Sequence, residues 1–249
     1  MPVQLITGFY KGEEMANIVS FSGGKDSTAM LLMMIERKIH IDKIFFCDTT
    51  LEFPEMYEYI DKIQNYIKME ITILKPSKSY DEWFYGKITR GKLKGRQRGF
   101  PYVCNPCWWN REAKYTLLDK AHGIGNTVFI GIAADEEERT YAKQYEKDTV
   151  SYKFPLCEWG IVENECYIYL DKKGLHHPLS GFKRTGCWLC QKQSIHSLKM
   201  LFLHYPELWA KLKIYEHDSP NGFKPDITLN KLEIIFTEEQ TQGELFNES

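Results

Sequence analysis

Residues 20–30 read SFSGGKDSTAM, between the apolar segment NIV and the apolar run LLMMIERK. Two adjacent glycines, Gly23 and Gly24, let the backbone turn sharply and approach a ligand closely. A helix that starts just after them presents unpaired N–H groups and the positive end of its dipole. Together these make an anion site suited to phosphate. Lys25 adds a mobile positive charge, Ser20, Ser22 and Ser27 add hydroxyls, and Asp26 is placed to hold Mg2+ or to cap the helix. The stretch is not a Walker A loop, since GxxxxGK[ST] requires glycine where Val19 stands and Asp26 follows the lysine. A plain strand-to-helix turn needs the glycines but not the Lys-Asp-Ser that follows them.

Seven cysteines, an odd number, point to reduced thiols and ligands rather than to a disulfide framework. Four of them form two CxxC pairs, Cys104 with Cys107 and Cys187 with Cys190. That is strong metal-site spacing, and four thiolates suit tetrahedral Zn2+ or a 4Fe-4S cluster. The pairs are too far apart for a compact zinc ribbon. Trp108, Trp109 and Trp188 adjoin the ligands, and bulky apolar shielding tunes a cluster's potential. Iron–sulfur is therefore the favoured reading, with Zn2+ and a redox disulfide as alternatives. Cys157, in FPLCEW, is the spare nucleophile, or else a buried structural cysteine.

The segment Gly86–Gly99, GKITRGKLKGRQRG, holds six Lys or Arg and no acid. Trp83, Phe84, Tyr85, Phe100 and Tyr102 flank it. Such a loop suits contacts to a nucleic-acid backbone with base stacking, or closure over a triphosphate, or simply a solvated loop. His176 and His177 precede Pro178, and a structural or nucleotide-edge role is expected there rather than metal ligation.

These residues need elements to position them. NIVSFS, IDKIFFCDTT, ITILKP and NTVFIGIAADE read as four strands. TAMLLMMIERK reads as a helix covered on several sides. FPEMYEYIDKIQNYIKM carries Met56, Ile60, Ile63 and Ile67 at helical spacing, and NREAKYTLLDKAHG reads as a helix closed by Gly123. Alternation of this kind predicts an α/β fold with a parallel sheet, its ligands beyond the carboxyl ends of the strands. The core is expected over 15–140. Residues 141–249 form a C-terminal region that completes the cysteine site and ends in a helical tail. At 249 residues and 43% hydrophobic, the chain can bury one sizeable core. The first residues lack a basic segment leading into an apolar one, and no apolar run reaches 18 residues, so a cytoplasmic protein without a membrane span is expected. The net charge of -2 creates no global field for nucleic acid, so any such attraction is local.

From Ile18 to about Gln191 the chain resembles the phosphoadenosine phosphosulfate (PAPS) reductase-like family. SFSGGKDST resembles the pyrophosphate loop of the N-type ATP pyrophosphatases. FFCDTTLEFPEM is similar to the family's DTG…FPET segment, CNPCWWNREAK to its cysteine and basic segment, and GIAADEEER to GxRxxES…R. FPLCEW resembles PLxxW, and HPLSGFKRTGCWLC resembles HPLY…GC..C. The resemblance implies a Rossmann-like adenine nucleotide alpha hydrolase fold acting at the α-phosphate of an adenine nucleotide, with ATP and Mg2+ as ligands. It also supports the cluster. Lys25, Asp26, Asp48 and Arg139 are the implied catalytic set, Asp48 and Thr49 meeting the ribose or a metal and Arg139 a phosphate. An ordinary helix cap is the alternative for Asp48, and a surface ion pair for Arg139. The chain departs from true sulfonucleotide reductases, which typically carry a degraded loop and a cysteine in a C-terminal ECGLH element. Here the loop is intact and the last cysteine is Cys190. That favours ATP split to AMP and pyrophosphate, activating an acceptor for sulfur transfer, with a sulfur- or electron-donor protein as partner. The alternatives are a PAPS or APS reductase or sulfotransferase-type enzyme, and a non-catalytic nucleotide- and metal-binding subunit.

Overall fold

The computed structural model describes residues 15–101, 106–146, 148–179, 181–182 and 186–247, with side chains to 241. The apolar runs become strands β1 (Asn17–Phe21), β2 (Lys43–Cys47), β3 (Thr72–Leu74) and β4 (Thr127–Ile130), joined by β5 (Ser151–Lys153). All pair in parallel, in the order β3-β2-β1-β4-β5. Strand order reverses at β1, so a crevice opens at the carboxyl ends of β1 and β4.

Helix α1 (Lys25–Glu36) follows β1, and every residue from Ser27 to Met34 is buried. Its all-round apolar surface is explained by the sheet on one side and α7 (Glu163–Lys172) on the other. Helix α2 (Pro54–Ile67) starts with proline at its first turn and buries Met56, Ile60 and Ile63, three of its four periodic positions. Helix α3 (Tyr80–Phe84) opens on a Ser79–Glu82 capping box.

The expected helix after the first CxxC is interrupted. A single turn, α4 (Trp108–Asn110), runs into a π-helical turn at Arg111–Tyr115 and then α5 (Thr116–His122). Beyond β4 come 3-10 turns over Ala134–Tyr141, then the short α6 (Pro155–Glu158). The alternation does not stop near Tyr141, because β5 and α7 carry the α/β layers on to Lys172. A boundary at 140 therefore cuts through the sheet. The expected tail helix is two helices, α8 (Ile195–His204) and α9 (Pro206–Asp218), because Pro206 cannot continue the first. They are followed by α10 (Leu229–Asn247), with Phe202, Trp209 and Phe236 in mutual ring contact. Among the described residues, no helix is long and apolar enough to cross a membrane.

The basic segment is a β-hairpin-like tongue. Ile88 N donates to Arg96 O, Gly95 N to Ile88 O and Arg98 N to Gly86 O, at 2.8, 2.8 and 2.9 Å. Its flanking aromatics are mostly not free for stacking. Phe84 and Phe100 are buried in the core, and Trp83 faces Trp108. Tyr85 is bonded to Asp218, and Tyr102 lies outside the described residues.

Candidate active site

Ser20 sits within β1, in register with Phe45 and Ile130. The chain then turns at Gly23, whose φ of +75° favours glycine and where a Cβ would lie 2.9 Å from the Met56 methyl. Gly24 caps α1 with no side-chain bond, which leaves first-turn N–H groups for an anion. Ser27 Oγ lies 2.9 Å from Ser22 Oγ and donates to Gly24 O at 3.0 Å, bracing the turn.

In front of this turn lies a cavity of about 700 Å³. Lys25 Nζ reaches Asp26 at 2.9 Å and Glu163 at 2.9 Å, while Arg139 pairs with Glu136 at the rim. Burial and its neighbours Glu163 and Glu136 push the Asp26 carboxyl up despite the adjacent lysine. Burial pulls Lys25 down, but its bonds to Asp26 and Glu163 prevail and its pKa is raised, so it stays charged. One oxygen from each of Asp26, Glu136 and Glu163 lies within 4.8 Å of the others. Three crowded oxygen ligands fit a hard divalent cation such as Mg2+, which would relieve their mutual repulsion.

Gly131, at the end of β4, closes the crevice from the other side. A Cβ there would stand 2.6 Å from Ser27 Cα and 2.7 Å from Ser27 N. Gly131→Ala is expected to push back the first turn of α1, costing about 1–3 kcal/mol of stability and weakening nucleotide binding. Urea unfolding and nucleotide titration of the variant check this; parent-like values in both exclude the close approach.

His177 also lines the cavity, although it is only 6% exposed. Its Nδ1 accepts from Leu179 N at 3.2 Å, so Nε2 carries the proton of the neutral ring. Burial pulls its pKa to about 4 from the ordinary 6.5. The unfolded chain then binds a proton that the folded chain refuses. Stability is thus fully present above about pH 6.5 and declines as pH falls toward 4, by up to about 3 kcal/mol. Comparing unfolding midpoints of the parent and His177→Asn across that window is the test. The parent should lose more stability than the variant, and equal slopes would refute the neutral buried ring.

Asp48 and Thr49 are not among the residues lining the cavity. The Asp48 carboxylate accepts from Thr50 N at 2.7 Å and Tyr57 Oη at 2.9 Å, with Lys75 Nζ at 3.2 Å. Thr49 donates to Glu52 at 2.7 Å and lies 3.4 Å from Cys187 Sγ. Both lie at the end of β2, beside the cysteines, whereas the crevice lies at the ends of β1 and β4.

Cys107 and Cys187 both lie within electrostatic reach of Cys190, and Cys104 lies outside the described residues. Burial pushes Cys107 up, with Cys190 adding to the shift. Burial pushes the Cys187 thiol up to about 12, with Glu52 adding and Lys114 opposing. Cys190 N donates to Cys187 O at 3.1 Å, closing a tight turn, and Lys224 Nζ donates to Gln191 O and Gln193 O at 2.6 and 2.5 Å. Trp188 N donates to Leu51 O at 3.0 Å, and Trp109 Nε1 to Thr49 O at 3.2 Å, so both tryptophans tie the chain beside Cys107 and Cys187 to the residues that follow β2. The three thiols do not all lie within 4.8 Å of one another, as the carboxylate oxygens do. Soft sulfur donors in an aromatic shell nevertheless fit an iron–sulfur cluster or zinc.

Residues 16–193 match the family model of the phosphoadenosine phosphosulfate reductase domain. The chain belongs to this family. This PAPS reductase-family chain is 24% identical over 202 residues to an uncharacterised protein of Methanocaldococcus jannaschii, covering 78% of this chain and 40% of that one. A second protein of that organism is covered to 47%, so the chain spans about half the length of these relatives. It is 24% identical over 182 residues to a phosphoadenosine 5'-phosphosulfate reductase of Vibrio vulnificus, covering 70% and 66% of the two chains. The crystal structure of a PAPS reductase from Candida auris aligns at a TM-score of 0.48 and 17% identity, over 69% and 81% of the two chains.

Glu163, Tyr167, Leu179 and Phe182 also line the cavity in front of α1, and motif reading leaves them out. The available signal for Glu163 is its start of α7, where Cys166 and Leu170 recur at helical spacing, both buried. Cys157 donates to Ile132 O at 3.2 Å, and burial pushes its pKa up. It is a thiol held by a backbone carbonyl rather than a poised thiolate.

Proposed function

We propose that this PAPS reductase-family chain is an ATP pyrophosphatase that activates an acceptor for sulfur transfer. The observation that carries this reading is Lys25 at an uncapped helix start, with the carboxylates of Asp26, Glu136 and Glu163 gathered beside it in the wall of a nucleotide-sized cavity. First-turn N–H groups, Lys25 and Arg139 would bind the phosphates, and the carboxylates would hold Mg2+. Bound Mg2+ supplies charge neutralisation at the phosphates. An acceptor oxygen attacks the α-phosphorus, the bridge to the β-phosphate breaks, and pyrophosphate leaves as the charge on it is stabilised by Lys25. A sulfur nucleophile from a donor protein then displaces AMP from the acceptor. Cys107, Cys187 and Cys190, with Cys104, would hold a 4Fe-4S cluster, which supplies redox or sulfur-handling chemistry; Zn2+ is the alternative for the same thiols.

The named reductase relatives favour one second reading, reduction of PAPS or APS to sulfite by a thiol donor. Incubation with ATP and Mg2+, and separately with PAPS and a dithiol, distinguishes them. AMP with pyrophosphate is expected from the first, and sulfite from the second would replace the proposal. Tight nucleotide binding with neither product would leave a non-catalytic subunit.

A further inference from the structure

The tongue Gly86–Gly99 is absorbed by neither the cavity nor the cysteines. None of its residues lines the nucleotide cavity, so closure over ATP has no support in the geometry. Arg98 is taken out of play as a free cation, since its guanidinium lies 4.6 Å from the Trp83 ring centre and 5.4 Å from that of Trp108. Lys87, Arg90, Lys92, Lys94 and Arg96 remain, all exposed. None has an ion-pair partner among the described residues. No acidic residue occurs between Glu82 and Glu112 to neutralise them.

The tongue's root is fixed. Gln97 Nε2 donates to Asp218 O at 3.0 Å, Phe100 N to Ser219 Oγ at 3.1 Å and Asn221 Nδ2 to Phe100 O at 3.2 Å. Gly99 has a φ of +62° and leaves 2.5 Å between a would-be Cβ and Ser219 Oγ. The adjoining Gly222 O accepts from Gln191 Nε2 at 3.2 Å, next to Cys190. Trp108, under Arg98, directly follows Cys107. One rigid support thus carries both the cationic tongue and the cysteine cluster.

We propose that Lys87, Arg90, Lys92, Lys94 and Arg96 bind the phosphate backbone of a nucleic acid and lay it beside the cysteines, making a polynucleotide the acceptor. Five unneutralised cations on a supported hairpin match a periodic polyanion, whose binding is driven by counterion release. A small acceptor has no use for charges spread along a hairpin. The inference rests on the sulfur-transfer reading for its chemistry, but the binding surface stands on its own observations.

The test is filter binding of single-stranded RNA, single-stranded DNA and duplex DNA at several salt concentrations, with acceptor-free ATP turnover, in which water takes the place of the acceptor oxygen, measured on the same proteins. The parent should bind at about 50 mM salt and weaken steeply as salt rises. The triple variant Arg90→Ser, Lys92→Ser, Lys94→Ser should flatten the log–log salt slope by about two for single strands or about three for duplex, at 0.7 or 0.9 per contact. These side chains are solvated, so an unchanged thermal midpoint and unchanged acceptor-free turnover are expected. The preferred probe identifies the polynucleotide. No affinity of the parent for any probe, or an unflattened slope in the triple variant, overturns the tongue as a nucleic-acid interface. Binding without any AMP production instead overturns the proposed activity and leaves the tongue standing.

Discussion

Lys25→Ala is expected to lower ATP affinity or AMP formation by tenfold or more without unfolding the chain. The lysine's ammonium is held charged in the cavity by Asp26 and Glu163. A phosphate is a stronger competitor for it than either carboxylate when Mg2+ occupies those oxygens. Loss of one charge-assisted bond to phosphate costs about 1.5–3 kcal/mol, one to two decades in affinity. The side chain is partly exposed and spans no core contact, so stability should change little, and removal of a cation among carboxylates is the only strain introduced. Ser27→Ala should act in the same direction through a different route, by freeing the Ser22–Ser27–Gly24 brace. Calorimetric ATP titration and AMP assays, beside a thermal melt, measure all three effects. Parent-like ATP handling in Lys25→Ala would exclude the loop as the phosphate site.

Cys187→Ser is expected to abolish metal retention and to lower the unfolding midpoint of the metal-loaded protein. The Cys187 thiol is deeply set against Thr49 and Glu52 at the end of β2. A serine oxygen there is a poor ligand for iron or zinc held by soft donors. Structural thiolate–metal sites contribute on the order of 10 kcal/mol to folding in small domains, so even a fraction of that is visible in a melt. Anaerobic purification followed by iron, zinc and sulfide analysis and an absorption spectrum reads the result. Broad visible absorption in the parent and none in the variant identifies an iron–sulfur cluster, whereas zinc without colour identifies the alternative. A variant with full metal content removes Cys187 from the ligand set.

The loop was legible because its chemistry is contiguous: strand, glycine pair, lysine, aspartate, serine and helix follow without a gap. The parallel sheet was legible for a similar reason, since β1, β2 and β4 are largely buried apolar runs, and the more exposed β3 still reads as the short run TIL before a proline. β5 was not, because its three residues alternate exposed, half-buried and exposed and add only an edge. Asp48 and Thr49 show what strand ends alone leave open. Each strand end is a possible ligand position, but only spatial order selects the crevice, and order is not written in hydrophobic pattern. Glu163 was hidden because its partners Lys25 and Asp26 lie far away in sequence. Phe84 and Phe100 look like a stacking rim beside the basic tongue, yet both belong to a packed aromatic cluster with Tyr80 and Tyr215. Composition could not separate a rim from a core.

The π-helical turn at Arg111–Tyr115 joins a segment committed to the cysteines with one committed to the sheet. Upstream, Cys107 Sγ accepts from Asn110 N, and Trp109 reaches Thr49. Within the turn, Lys114 stands among Glu52, Cys187 and Cys47, and α5 continues toward β4. A π-turn is an α-helix carrying one surplus residue. That surplus sets the rotational phase between the two segments, about 100° away from where an unbroken helix would leave them. What the stretch encodes at this point is a length. Loss of any one of its five residues, whichever it is, would restore a regular helix and turn one client away from its target. Single-residue deletions here should therefore be interchangeable in effect, while substitutions at the same positions should differ widely from one another.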